Sequence, residues 1–215
     1  MRARRERGYE TTRPDVRALV PRSARRILDI GCASGALGAA LKESQRAEVV
    51  GIELDEAYAT DARARLDSVV CGDVDRVLAD ADLGRFDCVV AADVLEHLLD
   101  PWSTLRAAAA LLVPGGAAVV SLPNIRYWQA LARIAFGRTW PREDAGIFDR
   151  THLRWFTTVD AHALLEQAGL RVDAASPQYW DRFGRSPTFR RIMPRRLEPF
   201  LAGQYVLRGV RDEAG

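Results

Sequence analysis

Short apolar runs alternate with stretches of helical periodicity along most of this chain, the pattern of an α/β fold built around a parallel sheet. Residues 27–30 predict a first strand closed by Gly31, and residues 35–41 a helix behind it. Glu48–Glu53 predicts a second strand, followed over residues 55–66 by a helix capped by Asp55. Ser68–Cys71 is a short, β-branched third strand. Residues 86–91 are almost continuously apolar, as a strand covered on both faces requires. Pro101 then opens a helix whose apolar positions Trp102, Leu105, Ala109 and Leu112 recur at helical spacing until Gly115-Gly116 stops it. Residues 117–122 predict a fifth strand. Thr157 or Thr158 caps a later helix that ends at Gly169, with Asp160 placed for a capping box. Residues 170–172 and 205–210 read as the last two strands.

Two segments break the alternation. Residues 123–150 are rich in aromatics and arginine and read as a lid; residues 176–203 are basic and read as an accessory helical segment before the final strand. All 215 residues are expected to form a single domain. At 48% hydrophobic and 28% charged, the chain can bury a substantial core and is excluded from the disordered and fibrous classes. Its net charge of +2 selects no partner. Cys32, Cys71 and Cys88 lack the spacing of a metal knuckle or redox pair and read as small hydrophobes, so a reducing, cytoplasmic setting is expected. Residues 1–7 are charged with no apolar stretch behind them, unlike a secretory signal. The alanine-rich run over residues 106–120 is interrupted by Pro114-Gly115-Gly116, so no membrane span is expected.

Asp29-Ile30-Gly31-Cys32-Ala33-Ser34-Gly35 carries the most chemistry. A strand leading through a glycine turn into a helix presents backbone amides and a helix N-terminus to whatever binds above the sheet. Glu53 ends the next strand, where a carboxylate can accept hydrogen bonds from two ribose hydroxyls. Asp73, just past the third strand, is placed to reach an adenine amino group. A nicotinamide dinucleotide is the sharp rival, because residues 33–38 nearly spell G-x-G-x-x-G. Two features count against it. The turn glycine is Gly31 rather than position 33, and the acidic Asp29 suits a cationic ligand end better than a pyrophosphate. The bland alternative is a βαβ unit with no ligand.

These residues, with Gly72-Asp73, Asp93-Val94-Leu95-Glu96-His97 and Pro114-Gly115-Gly116, resemble the class I S-adenosylmethionine-dependent methyltransferases, in the group that includes ubiquinone-pathway, methionine-biosynthesis-associated and glycan methyltransferases. The resemblance runs over about residues 27–172. It implies a Rossmann-like, doubly wound seven-stranded sheet, mostly parallel with an antiparallel last strand. It also implies a cofactor pocket lined by Asp29, Gly31, Glu53, Asp73 and Asp93. Ala33 and Gly35 would complete the glycine-rich loop, with Leu54 and Val74 following the two acids. Ala33 stands where the family usually has glycine.

Methyl transfer is an in-line displacement, so the protein chiefly aligns the acceptor and removes its proton. His97 and His152 are the candidate bases. Asp93, Glu96, His97 and His152 together resemble the divalent-cation site of small-RNA 2′-O-methyltransferases and ubiquinone-pathway O-methyltransferases, which usually have glutamate at the first position. The alternative is that Glu96 and His97 only satisfy a loop, while His162 reads as structural. In the lid, Tyr127, Trp128, Phe136, Trp140 and Phe148 divide between core and substrate wall. Arg126, Arg133, Arg138, Arg142 and Arg150 outnumber Glu143, Asp144 and Asp149 there, which admits an anionic or sugar-bearing acceptor, with a solvated face preferred for most of them. Six arginines between Arg182 and Phe200 face the single acid Glu198; without a nucleic-acid motif, a solvated basic face is preferred to a nucleic-acid or membrane surface. The expected activity is O-methylation of a small-molecule acceptor (a sugar, glycan precursor or natural product) by a monomer or homodimer. The alternatives are a non-catalytic partner of a biosynthetic enzyme and an RNA 2′-O-methyltransferase.

Overall fold

A computed structural model describes residues 11–192 and 194–212. Its centre is a seven-stranded sheet in the order β3-β2-β1-β4-β5-β7-β6. The strands are β1 (Arg26–Ile30), β2 (Glu48–Glu53), β3 (Ser68–Cys71), β4 (Phe86–Ala92), β5 (Leu112–Pro123), β6 (Leu170–Tyr179) and β7 (Ala202–Arg211). Pairs among β1 to β5 are parallel, and β7 runs antiparallel to both β5 and β6. This is the architecture that the resemblance implies.

Side-chain alternation divides the core between the two faces. Leu28, Ile30, Val50, Val89 and Val120 pack toward the helices Val74–Asp80, Pro101–Ala110 and Thr158–Gln167. Ile27, Val49, Cys88, Val90 and Val119 pack on the other face against Leu37 and Leu41 of the helix Ala36–Gln45, and against Val16 and Val20 near the N-terminal end. All three cysteines are free; Cys32 and Cys88 are buried in this second layer, as small hydrophobes.

Several boundaries differ from the sequence reading. The helix from Pro101 ends at Ala110, and Leu112 pairs with Phe86 as the first residue of β5. Pro114-Gly115-Gly116 therefore lies inside a strand, at an irregularity where Gly115 adopts φ 74 and the register shifts between Phe86 and Cys88. The helix stops earlier because leucine serves either element, and the pairing with β4 decides. β6 runs on to Tyr179, taking residues assigned to the accessory segment. It is an edge strand, so Pro177 removes no needed ladder bond. The helix Val74–Asp80 was not anticipated; Asp73 caps it, accepting from the Asp75 and Arg76 amides. Thr157, rather than Thr158, forms the capping box with Asp160. Among the described residues, no helix is long and apolar enough to cross a membrane.

Candidate functional site

A cavity of about 850 Å³ lies over the C-terminal ends of β1, β2 and β4, the edge at which open α/β sheets bind ligands. Asp29, Gly31, Ala33, Glu53, Leu54, Asp73, Val74 and Asp93 all line it, so eight of the nine expected cofactor residues share one wall. Gly35 does not. It turns the chain into the following helix and packs against Ala62 and Leu66.

The loop after β1 alternates hand, with Gly31, Ala33 and Gly35 at φ 68, 46 and 81. Gly31 has a second constraint, because a Cβ there would stand 2.3 Å from Val94 Cγ2. Ala33 holds a left-handed conformation that L side chains disfavour. Its amide is fixed by Glu53, whose Oε2 accepts from Ala33 N at 2.8 Å while Oε1 accepts from Asp55 N at 2.9 Å. One carboxylate thus ties the β1 loop to the turn after β2.

Asp29 is 2% exposed, and its Oδ2 has no hydrogen-bond partner. Burial, and then the nearby Glu53 charge, pushes its carboxyl up to about 7. A buried acid that lines a cavity without a counter-ion suits a ligand with a cationic end. Gly38, in the overlying helix, leaves room for Leu66 and Val49, which a Cβ there would meet at 2.6 and 3.0 Å.

Asp93 is held by a partner the sequence reading missed. Thr11 and Arg13 line the cavity, and Arg13 donates to both Asp15 oxygens, to Asp93 Oδ2 and to Ser121 Oγ. Ser121 Oγ at 2.7 Å and the Gln204 amide donate to Asp93 Oδ1. Burial alone would lower the Arg13 guanidinium, and the two carboxylates more than reverse it. Pro14 at the first helical turn marks a helix start, but nothing local tells that this segment folds over the cavity.

At the other end, Glu96, His97 and His152 converge, their ligand atoms all within 4.8 Å of one another. Leu95–His97 is a single 3₁₀ turn after β4, and His152, just past the lid, is brought in through backbone bonds from the Leu153 and Arg154 amides to Glu96 O. Glu96 is 1% exposed, and neither of its carboxylate oxygens has a hydrogen-bond partner. Burial and then the Asp93 charge raise it well above the ordinary glutamate range. His152 Nε2 lies 3.9 Å from Glu96 Oε1, and the two imidazoles stand edge to face at 4.6 Å. Burial, and then the other imidazole, lowers the His97 pKa. A carboxylate with two imidazoles suits zinc or a related divalent ion, and the unpartnered Glu96 oxygens fit such a group. Asp93 does not join these three, because Arg13, Ser121 and Gln204 occupy both its oxygens.

The lid differs from expectation in charge. Arg133 pairs with Glu143 at 2.6 Å, Arg150 with Asp144 at 2.9 Å, and Arg126 stacks on Phe200. No lid arginine lines the cavity; Asp149 and the Arg150-paired Asp144 do. Tyr127 and Phe148 join a small lid core, while Phe136 is exposed. Tyr58 and Trp180 are aromatics on the cavity wall; Trp180 follows β6 directly, and its ring fills the space a Cβ on Gly203 would need.

The family model described as a methyltransferase domain matches residues 1–175, and the chain belongs to that family. A ubiquinone biosynthesis O-methyltransferase of Pseudomonas aeruginosa (strain LESB58) is 36% identical over 107 residues, 47% of this chain and 46% of that protein. The match thus spans about half the length of such curated relatives. A SAM-dependent methyltransferase from Archaeoglobus fulgidus superposes with a TM-score of 0.64 at 19% identity, covering 98% of this chain and 91% of the other. An O-methyltransferase from neocarzinostatin biosynthesis, solved with S-adenosyl-L-homocysteine and 1,4-dihydroxy-2-naphthoic acid, gives 0.57 at 17% identity over 93% of this chain and 52% of its own. At these identities the solved structures establish the shared fold.

Proposed function

We propose that this chain transfers a methyl group from S-adenosylmethionine to a hydroxyl of an uncharged small molecule. The observation that carries the reading is one cavity with an unpaired buried acid at each end, Asp29 beside the glycine loop and Glu96 beside two imidazoles. When bound, S-adenosylmethionine supplies a methyl group activated by its sulfonium. Asp29 would face its cationic methionine end, Glu53 its ribose hydroxyls and Asp73 its adenine. Glu96, His97 and His152 take the acceptor side. There an imidazole Nε2 can accept the hydroxyl proton, and a divalent cation held by the three would lower that hydroxyl's pKa. The oxygen acceptor is supported by relatives named as O-methyltransferases, and its lack of negative charge by a cavity wall that no lid arginine lines.

The test is calorimetric titration of the purified chain with S-adenosylmethionine, followed by transfer from methyl-labelled cofactor to a panel of hydroxylated aromatics and sugars. Binding, with label recovered as a methyl ether, is expected. A folded protein that binds no S-adenosylmethionine overturns the reading. Activity lost on chelation and restored by zinc or magnesium assigns proton removal to a metal-bound hydroxyl; activity that survives chelation assigns it to the imidazoles alone.

A further inference from the structure

The lid turn over residues 147–152 presents acceptors, and only acceptors, to one nitrogen of each clustered imidazole. His152 Nδ1 lies 3.0 Å from the Ile147 carbonyl oxygen, so that nitrogen carries a proton. His97 Nδ1 lies 3.2 Å from the Thr151 carbonyl oxygen and 3.1 Å from Thr151 Oγ1. A hydroxyl can donate as well as accept, and Asp149 decides which. Thr151 Oγ1 lies 2.6 Å from Asp149 Oδ1, and the carboxylate can only accept. The single hydroxyl proton goes to Asp149, leaving a lone pair for His97. Asp149 Oδ1 also accepts from the Thr151 amide at 2.8 Å, fixing the residue at both points.

We infer that Asp149, acting through the Thr151 hydroxyl, is a positioning residue that holds His97 as its Nδ1–H tautomer, so that its Nε2 lone pair stays free. His152 is set the same way by Ile147 O. The imidazoles are thus fixed as a matched pair of Nε2 donors around Glu96, by a lid whose sequence shows only Asp149-Arg150-Thr151-His152. Free histidine in water prefers the opposite tautomer, so the arrangement must be imposed. For its functional meaning the inference rests on the proposed methyl transfer at this cluster. The tautomer itself is readable without cofactor, metal or acceptor.

The experiment is long-range ¹H–¹⁵N correlation on the full-length, ¹⁵N-labelled protein at a pH where imidazoles are neutral. The chain has 3 histidines, assigned through His97→Gln and His152→Gln. Wild type is expected to show pyrrole-type Nδ1 and pyridine-type Nε2 for both His97 and His152. Asp149→Ala frees the Thr151 hydroxyl to donate in competition with the Thr151 carbonyl, which still accepts from Nδ1, so His97 should become a mixture of the two tautomers while His152 keeps its pattern. Asp149→Asn, whose carbonyl can still accept from Thr151, should restore wild type. Thr151→Ser, which retains the hydroxyl, should behave as wild type even if the alanine variant folds poorly. An Nε2–H tautomer at His97 in wild type, or in Thr151→Ser, overturns the inference, as does a folded Asp149→Ala variant with an unchanged His97 spectrum. A protein that shows the expected tautomers yet transfers no methyl group refutes the proposed function and leaves this inference standing.

Discussion

Asp29→Asn is expected to stabilise the ligand-free protein, by an amount that depends on pH in a specified way. The wild-type carboxyl titrates at about 7 in the folded protein instead of its ordinary 3.8, because it is buried and faces Glu53. Below about pH 4 it is protonated in both folded and unfolded chains and contributes nothing. Between 3.8 and about 7 the unfolded chain ionises while the folded one stays neutral, so wild type loses stability as pH rises. Above about 7 both states are ionised and the penalty is constant. At about 1.4 kcal/mol per pH unit the full penalty approaches about 4 kcal/mol, of which about 2.5–3 kcal/mol develops between pH 5 and pH 8. Asparagine has no such titration, and its own burial cost is the same at both pH values. Urea unfolding of wild type and variant at pH 5 and pH 8 measures the gap directly, since other titrating groups are common to both proteins. The advantage of the variant should widen by about 2.5–3 kcal/mol on going to pH 8. Saturating S-adenosylmethionine should narrow it again, by stabilising wild type alone. A gap that is equal at the two pH values, or larger at pH 5, refutes the reasoning.

Three other substitutions probe the same cavity. Glu53→Ala should weaken S-adenosylmethionine binding by about 1.5–3 kcal/mol in calorimetry, the scale of charge-assisted hydrogen bonds; unchanged affinity removes Glu53 from the ribose site. Ala33→Gly should raise stability by about 0.5–1 kcal/mol in urea unfolding, because it relieves a left-handed alanine at φ 46 against a smaller gain in unfolded-state entropy. A destabilised variant would mean that the methyl group packs better than the backbone strain costs. Glu96→Gln should leave the metal-free protein at least as stable at pH 7, where the buried acid has no partner, while lowering methyl transfer by about 100-fold or more. Near-normal turnover would take Glu96 out of the chemistry.

Strands β1 to β4 were legible in the sequence because each is a short apolar run ended by an acid or glycine, a signal local to the strand. The antiparallel end was harder. β6 alternates exposed and half-buried residues at the sheet edge, so only its first residues are apolar enough to register, and its extent is set by pairing with β7. The cofactor wall could be read because Asp29, Glu53, Asp73 and Asp93 each end or follow a strand. Arg13 could not, since its place depends on how a segment before the first strand folds back to meet Asp93. Trp180 escaped for a similar reason, its position on the wall being fixed by the close approach of Gly203. Composition alone leaves the lid arginines open, because it counts charges without showing that Glu143 and Asp144 neutralise two of them.

The two buried carboxylates bear differently on the two readings the family allows. A protein that bound S-adenosylmethionine only to fold, or to support a partner enzyme, would still need Asp29, whose lone Oδ2 a cationic ligand end would satisfy. It would have no use for Glu96, which is 1% exposed, lacks a partner on both oxygens and sits against two imidazoles at the far side of the cavity. An unpaired buried acid is a standing cost of several kcal/mol unless it is protonated or ligated, and a glutamine or a leucine would remove it. The surrounding frame deepens that cost instead of relieving it. Ile147 O and Thr151 each take the Nδ1 proton of an imidazole, so neither Nε2 has a proton left to donate to Glu96. Two lone-pair donors around an acid that burial holds well above the ordinary glutamate range form a set that takes up a proton or a cation, which an idle fold does not need. That is why the catalytic reading is preferred over the supporting one.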